Sequence, residues 1–298
     1  MKHKLRRILS LAAALTVGGC ALGMFAGCTT KHPEVLITYS FDGKNYTVKY
    51  ILSRNDAPQT VQHFIELADA GYYDGMCVHD YTSDAIYSGG YYLKDDELEE
   101  VNYFETVKRL ETERGITFTQ SVWKANEAKE PLYTVYGEFY NNGVSNARAR
   151  ENVHSAGALV MYYTDKGDFN GDVVVERADK GKNNDGQSTQ YARYATNSAT
   201  SLFYTYTGSA NMTWDSKYSV FGIADDDDYQ KQMVDGLLAA ISAYQDSLGE
   251  NEDFTTEKVT VINEYEPFEE VAKARDEKTF HTPVKKPIII QSVKVKKY

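Results

Sequence analysis

Proline, cysteine, tryptophan and positive charge are all scarce in this sequence of 298 residues. It holds six prolines against 24 tyrosines, a balance that excludes a disordered chain. Lysine and arginine number 32 against 43 aspartates and glutamates, a net charge of −11. That sign disfavours nucleic acid, whose phosphates need a basic surface; the acidity serves a solvated exterior. No internal repeat is visible. What is present is an ordinary globular composition, 42% hydrophobic and 25% charged, with an aromatic surplus at 13%. The length allows one large domain or two ordinary ones.

The first residues form a targeting segment. Lys2, Lys4, Arg6 and Arg7 make a charged start, and an apolar run broken by small residues follows over residues 8–26. The run ends in Phe25-Ala26-Gly27-Cys28 and turns polar at Thr29. Small residues directly before a cysteine at that place resemble a bacterial lipobox, in which the thiol is lipidated and the cysteine becomes the new N-terminus. Cys28 is the favoured residue and Cys20 the alternative; an uncleaved anchor is the competing reading. Each puts the globular part outside the cytoplasmic membrane. Losing the four leading basic residues takes the net charge from −11 to −15. Cleavage at Cys28 leaves only Cys77, so no intramolecular disulfide can form. Cys77 sits in an apolar segment and reads as a small buried hydrophobe.

The boundaries expected are a signal peptide over 1–28, a tether over 29–33 and one domain over 34–298. VLITYSF and YTVKYIL alternate as two strands around the hairpin signal Asp42-Gly43. Asn55 or Asp56 can cap a helix beginning near Pro58. Leu98, Val101, Phe104, Val107 and Leu110 fall at helical spacing, which predicts a surface helix over 94–114. Further strands are expected at ALVMYY, LFYTY, YSVFGI and IIIQSVKV, an amphipathic helix over 229–248, and a small helix over 267–274. Residues 165–198 read as a polar loop excursion with a small strand at 173–175. Many short strands with two or three helices predict a mainly β protein, one closed barrel with insertions.

The stretch APQTVQHFIELADAGYYDGMCVHDYTSDAIYSGG, residues 57–90, combines a helix, a turn, a short strand and a glycine pair. It resembles the first helix and active-site strand of the cyclophilin family of peptidyl-prolyl isomerases. Gly137-Glu138-Phe139, His154-Ser155-Ala156-Gly157, Ser201-Leu202-Phe203-Tyr204 and Lys217-Tyr218-Ser219-Val220-Phe221-Gly222 follow in the family's order. The resemblance implies a closed eight-stranded antiparallel barrel capped by helices, with a peptide groove on one side. It leaves out residues 94–132 and 166–196, taken as helical and loop insertions. The implied partners are proline-containing segments of unfolded, secreted or surface proteins, with a lipid anchor in the membrane and no cofactor or metal.

The resemblance also places the site. The family's catalytic arginine falls on Asp80, its glutamine on Ser88 and its Phe-Met pair on Ala85-Ile86. The groove falls on Ile86, Tyr162, Phe203, Tyr204 and Tyr218, with Trp214 competing with Met212 and Thr213 for the tryptophan. A carboxylate has no proton to donate when ionised, so Asp80 implies reduced isomerase activity; the alternative is a non-catalytic peptide-binding or chaperone-like lipoprotein. Other constellations are bland. Asp168, Asn170, Gly171 and Asp172 look like part of a calcium loop, but Lys166 and Arg177 stand at its first and last positions. Residues 225–228 read as a solvated turn, and His79 and His154 as supports of the fold.

Overall fold

A computed structural model of the protein describes residues 32–124, 130–139, 144, 153–162, 164–165, 173–176, 191–193, 196–208, 212–213, 218–262 and 276–298. Cys20, Cys28 and the leader lie outside the described residues. Among those described, no helix is long and apolar enough to cross a membrane.

The first two strands form as their alternation requires. Strand β1 (Glu34–Phe41) buries every second residue, Val35, Ile37, Tyr39 and Phe41. It pairs in register with β2 (Lys44–Leu52) across a tight turn. Asp42 and Gly43 both take positive φ, 49° and 74°, which a twist-matched hairpin turn needs. The remaining labelled strands are β3 (Asp80–Tyr81), β4 (Ala85–Ser88), β5 (Tyr91–Lys94), β6 (Glu97–Glu100), β7 (Ala158–Met161), β8 (Phe203–Tyr206), β9 (Ser219–Ala224), β10 (Thr256–Ile262), β11 (Asp276–Thr282) and β12 (Ile289–Lys297). Eight of them make one antiparallel sheet in the order β12-β1-β2-β9-β7-β8-β4-β3.

The expected closed barrel is not what forms: the eight-stranded ladder is open. Its edge strands β12 and β3 share no ladder, and a single bridge between Cys77 and Ile289 spans the gap. Main-chain bonds from Val78 to Ile288 and from Ile290 to Met76, each 2.8 Å, reinforce that bridge. The physical reason is length. The segment before β3 runs straight into the turn at Gly75 (φ 82°), so it offers β12 too few extended residues for a ladder.

Helix α1 (Pro58–Asp69) lays Val61, Phe64, Ile65 and Leu67 onto the sheet. The Phe64 ring meets Tyr73, Phe203 and Phe221 at 5.1, 5.4 and 5.0 Å. Its N-terminus departs from expectation. Neither Asn55 nor Asp56 caps it; the cap position is Ala57, whose side chain has no oxygen to offer. Instead Glu138, far along the chain, accepts from the amides of Gln59 (3.1 Å) and Thr60 (2.8 Å). That satisfies two first-turn donors with a charge suited to the positive helix end.

The helix expected over 94–114 is shorter. Asp95 and Asp96, with φ 49° and 64°, turn the chain from β5 into β6, and helix α2 (Tyr103–Arg114) starts only after Asn102 caps Glu105. Two polar residues of α1 pin this segment. His63 lies 3.0 Å from the Thr119 carbonyl and 2.9 Å from the Tyr103 hydroxyl, while Glu66 accepts from the Thr119 amide and hydroxyl. The second excursion is more ordered than a loop: Val173–Glu176 pairs with Tyr191–Arg193 and with Val122–Lys124, which joins the two insertions. The long helix runs as Asp226–Asp228, a π-wound Tyr229–Leu238 and Ala239–Asp246. The wider winding brings Met233, Leu237 and Ile241 to the core. The small helix expected over 267–274 lies outside the described residues.

Candidate functional site

Strand pairing decides which side chains share a face. Strand β4 pairs with β8 so that Tyr87 lies opposite Tyr204, Ile86 opposite Thr205 and Ser88 opposite Phe203. Because faces alternate along a strand, Ile86, Ser88, Phe203 and Thr205 point inward. Ala85, Tyr87, Tyr204 and Tyr206 point to the other face. The inner set joins the main core; there the Thr205 hydroxyl lies 3.1 and 3.3 Å from those of Tyr39 and Tyr50. The outer set forms a second apolar cluster with Val160, Val220, Tyr162 and Tyr218.

The outer face is a panel of tyrosines. Tyr87 and Tyr204 are 4.8 Å apart, Tyr204 and Tyr218 5.9 Å, and Tyr162 and Tyr218 6.1 Å, mostly edge to face. Tyr204 is fully buried, stacked on His154, with 2.9 Å between its hydroxyl and His154 Nε2. Burial raises the phenol pKa of Tyr87 and of Tyr204, which keeps these hydroxyls neutral.

Beside the panel lies a cavity of about 240 Å³. Tyr87, Tyr162, Tyr218, Leu202 and Phe203 line one side, and His79 and Asp80 its end. The other side is Lys278, Thr279 and Phe280 of β11. The hairpin β10–β11 pairs along its whole length and docks on the sheet edge next to β3. Three of its contacts fall on His79 and Asp80. The His281 amide donates to the Asp80 carboxylate at 2.8 Å, the Thr282 hydroxyl donates to the His79 carbonyl at 2.6 Å, and the Phe280 ring meets His79 at 4.9 Å.

Asp80 is therefore occupied. Its side chain is 17% exposed, and the His281 imidazole stands 3.6 Å away. Burial raises its carboxyl pKa, and the His281 amide partly offsets that. His79 is held between Tyr91 and Phe280, and burial lowers its pKa to about 3, so it stays neutral. Gly89 (φ 95°) follows β4, where a Cβ would come within 2.3 Å of the Ser201 carbonyl oxygen. Only glycine lets the chain leave the strand this close to β8.

Of the residues expected here from sequence, Asp80, Tyr162, Phe203 and Tyr218 line the cavity. Tyr204 stands behind it in the panel, Ile86 belongs to the inner core, and Ser88 is wholly buried with no partner for its hydroxyl. Trp214 lies outside the described residues. Sequence reasoning counted Tyr87 only in the tyrosine surplus, as core or rim packing, and placed neither it nor the hairpin residues in the groove. The pairing of Tyr87 with Tyr204 needs a register, and the hairpin's only clue is the alternation of Val259 and Val261.

Among proteins of known structure, a cyclophilin type peptidyl-prolyl cis-trans isomerase of Cryptosporidium parvum is 14% identical, covering 90% of this chain and 99% of its own, with a TM-score of 0.38. The same enzyme in the presence of the dipeptide Ala-Pro gives 12%, 89%, 99% and 0.39. The Mimivirus cyclophilin is 12% identical over 76% of this chain and 86% of its own, with a TM-score of 0.39. No curated protein matches. A family model described as cyclophilin type peptidyl-prolyl cis-trans isomerase/CLD matches residues 37–227, more than half of the sequence. The chain belongs to the cyclophilin-type peptidyl-prolyl cis-trans isomerase family.

Proposed function

We propose that this protein binds proline-containing segments of secreted or surface proteins and isomerises their Xaa–Pro bonds at a reduced rate. The observation that carries the reading is the cavity of about 240 Å³ walled by Tyr87, Tyr162 and Tyr218 in a member of this family. Its aromatic wall suits a pyrrolidine ring, which is apolar and has no N–H to satisfy.

The reaction rotates an amide. The barrier is ~20 kcal/mol, and no bond breaks, so no cofactor is required. Acceleration comes from holding the twisted amide better than either planar form. On twisting, the prolyl nitrogen regains its lone pair and welcomes a donor. The resemblance implies an arginine for that task at position 80, where this chain has Asp80. Losing one preorganised donor costs about 3 kcal/mol in typical enzymes, or roughly a hundredfold in rate.

Binding without catalysis is the second reading, favoured by the bond from the His281 amide to Asp80. The two separate in an NMR exchange measurement on an Xaa–Pro peptide with the full chain. Exchange faster than in buffer supports the isomerase. Shifts of the peptide signals without added exchange support the binder, and neither effect removes both. The leader and Cys28, or alternatively Cys20, support a lipid-anchored, extracytoplasmic location.

A further inference from the structure

The cavity wall formed by β11 comes from beyond residues 37–227, the part of the chain that matches the family. Alternation sets its geometry. Thr282 bonds to the His79 carbonyl and Phe280 packs on the His79 ring, so these two residues face the sheet. Two residues further along the strand, Lys278 faces the same way. It is half-buried, whereas Glu277, Thr279 and His281 on either side are exposed, and it lines the cavity.

An Xaa–Pro bond presents a carbonyl oxygen and a nitrogen without a proton, so what it asks of a site is donors. Two charged groups line the cavity among the described residues, Asp80 and Lys278. An ionised carboxylate only accepts, and this one already takes the His281 amide. An ammonium only donates, and a charge-assisted bond from it is about twice as strong as a neutral one.

We propose that Lys278 is a catalytic residue of this site, donating its ammonium proton to the prolyl amide and more strongly to its twisted form. The hairpin β10–β11 is then part of the active site, and its docking through Asp80 is what brings the donor into place. No covalent step is involved: the proton stays on Lys278 while the amide rotates. The inference rests on the isomerase reading given above.

The test is NMR exchange on an Xaa–Pro peptide with the full chain, taken to saturation so that kcat and KM separate, for wild type, Lys278→Met and Lys278→Arg. The expected result is a fall in kcat of roughly ten- to a hundredfold for Lys278→Met, with KM little changed. Lys278→Arg, which keeps the charge and the long stem, should recover most of the rate. Equal kcat in wild type and Lys278→Met overturns the inference and leaves the isomerase reading standing. Lys278→Arg as slow as Lys278→Met also overturns it, because the position would then matter only for packing. Wild type no faster than buffer overturns both.

Discussion

His79 and Asp80 are neighbours in sequence with opposite consequences for stability. His79 has a folded pKa of about 3, held down by burial, while the unfolded side chain titrates near 6.5. Between those values the unfolded chain binds the proton and the folded chain does not. Stability from this residue is therefore complete above about pH 6.5 and is lost as pH falls, by about 1.4 kcal/mol per pH unit. Asp80 runs the other way, because its raised carboxyl pKa gives stability that is lost as pH rises through it. Its range begins near 3.8, so near neutrality the slope comes from the buried histidines His79 and His63. Chemical denaturation between pH 7 and 5 should show the midpoint falling, with the fall reduced in His79→Phe. His63, also buried with a lowered pKa, acts in the same direction. An identical slope in wild type and His79→Phe would mean that His79 is not buried neutral. The same contacts explain why Asp80 is more than a lost arginine: an arginine there would have no acceptor for the His281 amide that holds the hairpin.

Among the elements, α1 is the clearest case of a helix completed by a distant residue. Glu138 bonds both Gln59 and Thr60 amides, and Thr60 is wholly buried. Glu138→Ala should lower unfolding free energy by about 2–3 kcal/mol, measured by denaturant titration, since it leaves buried donors unpaired. Glu138→Gln, which keeps an acceptor, should cost less; equal losses would show that charge alone matters. Legibility in the sequence followed the same boundary between local and distant causes. Strands β1 and β2 and helix α1 were readable because each carries its own period, as in Val35, Ile37 and Tyr39 or Val61, Phe64 and Ile65. The helix expected over 94–114 was overextended because Leu98 and Val101 fall at helical spacing with Phe104 by coincidence, while Asp95-Asp96 turned the chain. The hairpin was not readable. TEKVTVI and DEKTFHT carry little apolar signal: Val259 is 67% exposed, and docking uses Phe280 together with polar contacts of Thr282, His281 and Lys258.

At the scale of the whole molecule, the family scaffold was legible from ordered motifs, whereas the site was legible only in part. Tyr162, Phe203 and Tyr218 could be placed by resemblance. Ile86 and Tyr87 could not be told apart, because a slip of one residue exchanges the two faces of a strand and only the pairing with Tyr204 fixes it. Openness of the sheet was equally hidden, since it depends on whether residues 76–78 make a ladder with β12 or the single bridge observed. The location of the molecule rests on its leader. Mass spectrometry of the N-terminus, after expression in a host that processes lipoproteins, should find a lipidated Cys28; lipid on Cys20 selects the alternative, and an unprocessed Met1 contradicts the lipid anchor and leaves the uncleaved one.

The central claim is that a cavity with Asp80 at its end still turns Xaa–Pro bonds, slowly. Exchange spectroscopy on a short Xaa–Pro peptide with the full chain tests it most directly. The account predicts cis–trans exchange clearly faster than the uncatalysed process of tens to hundreds of seconds, and saturable in peptide. Exchange indistinguishable from buffer at saturating protein would contradict it.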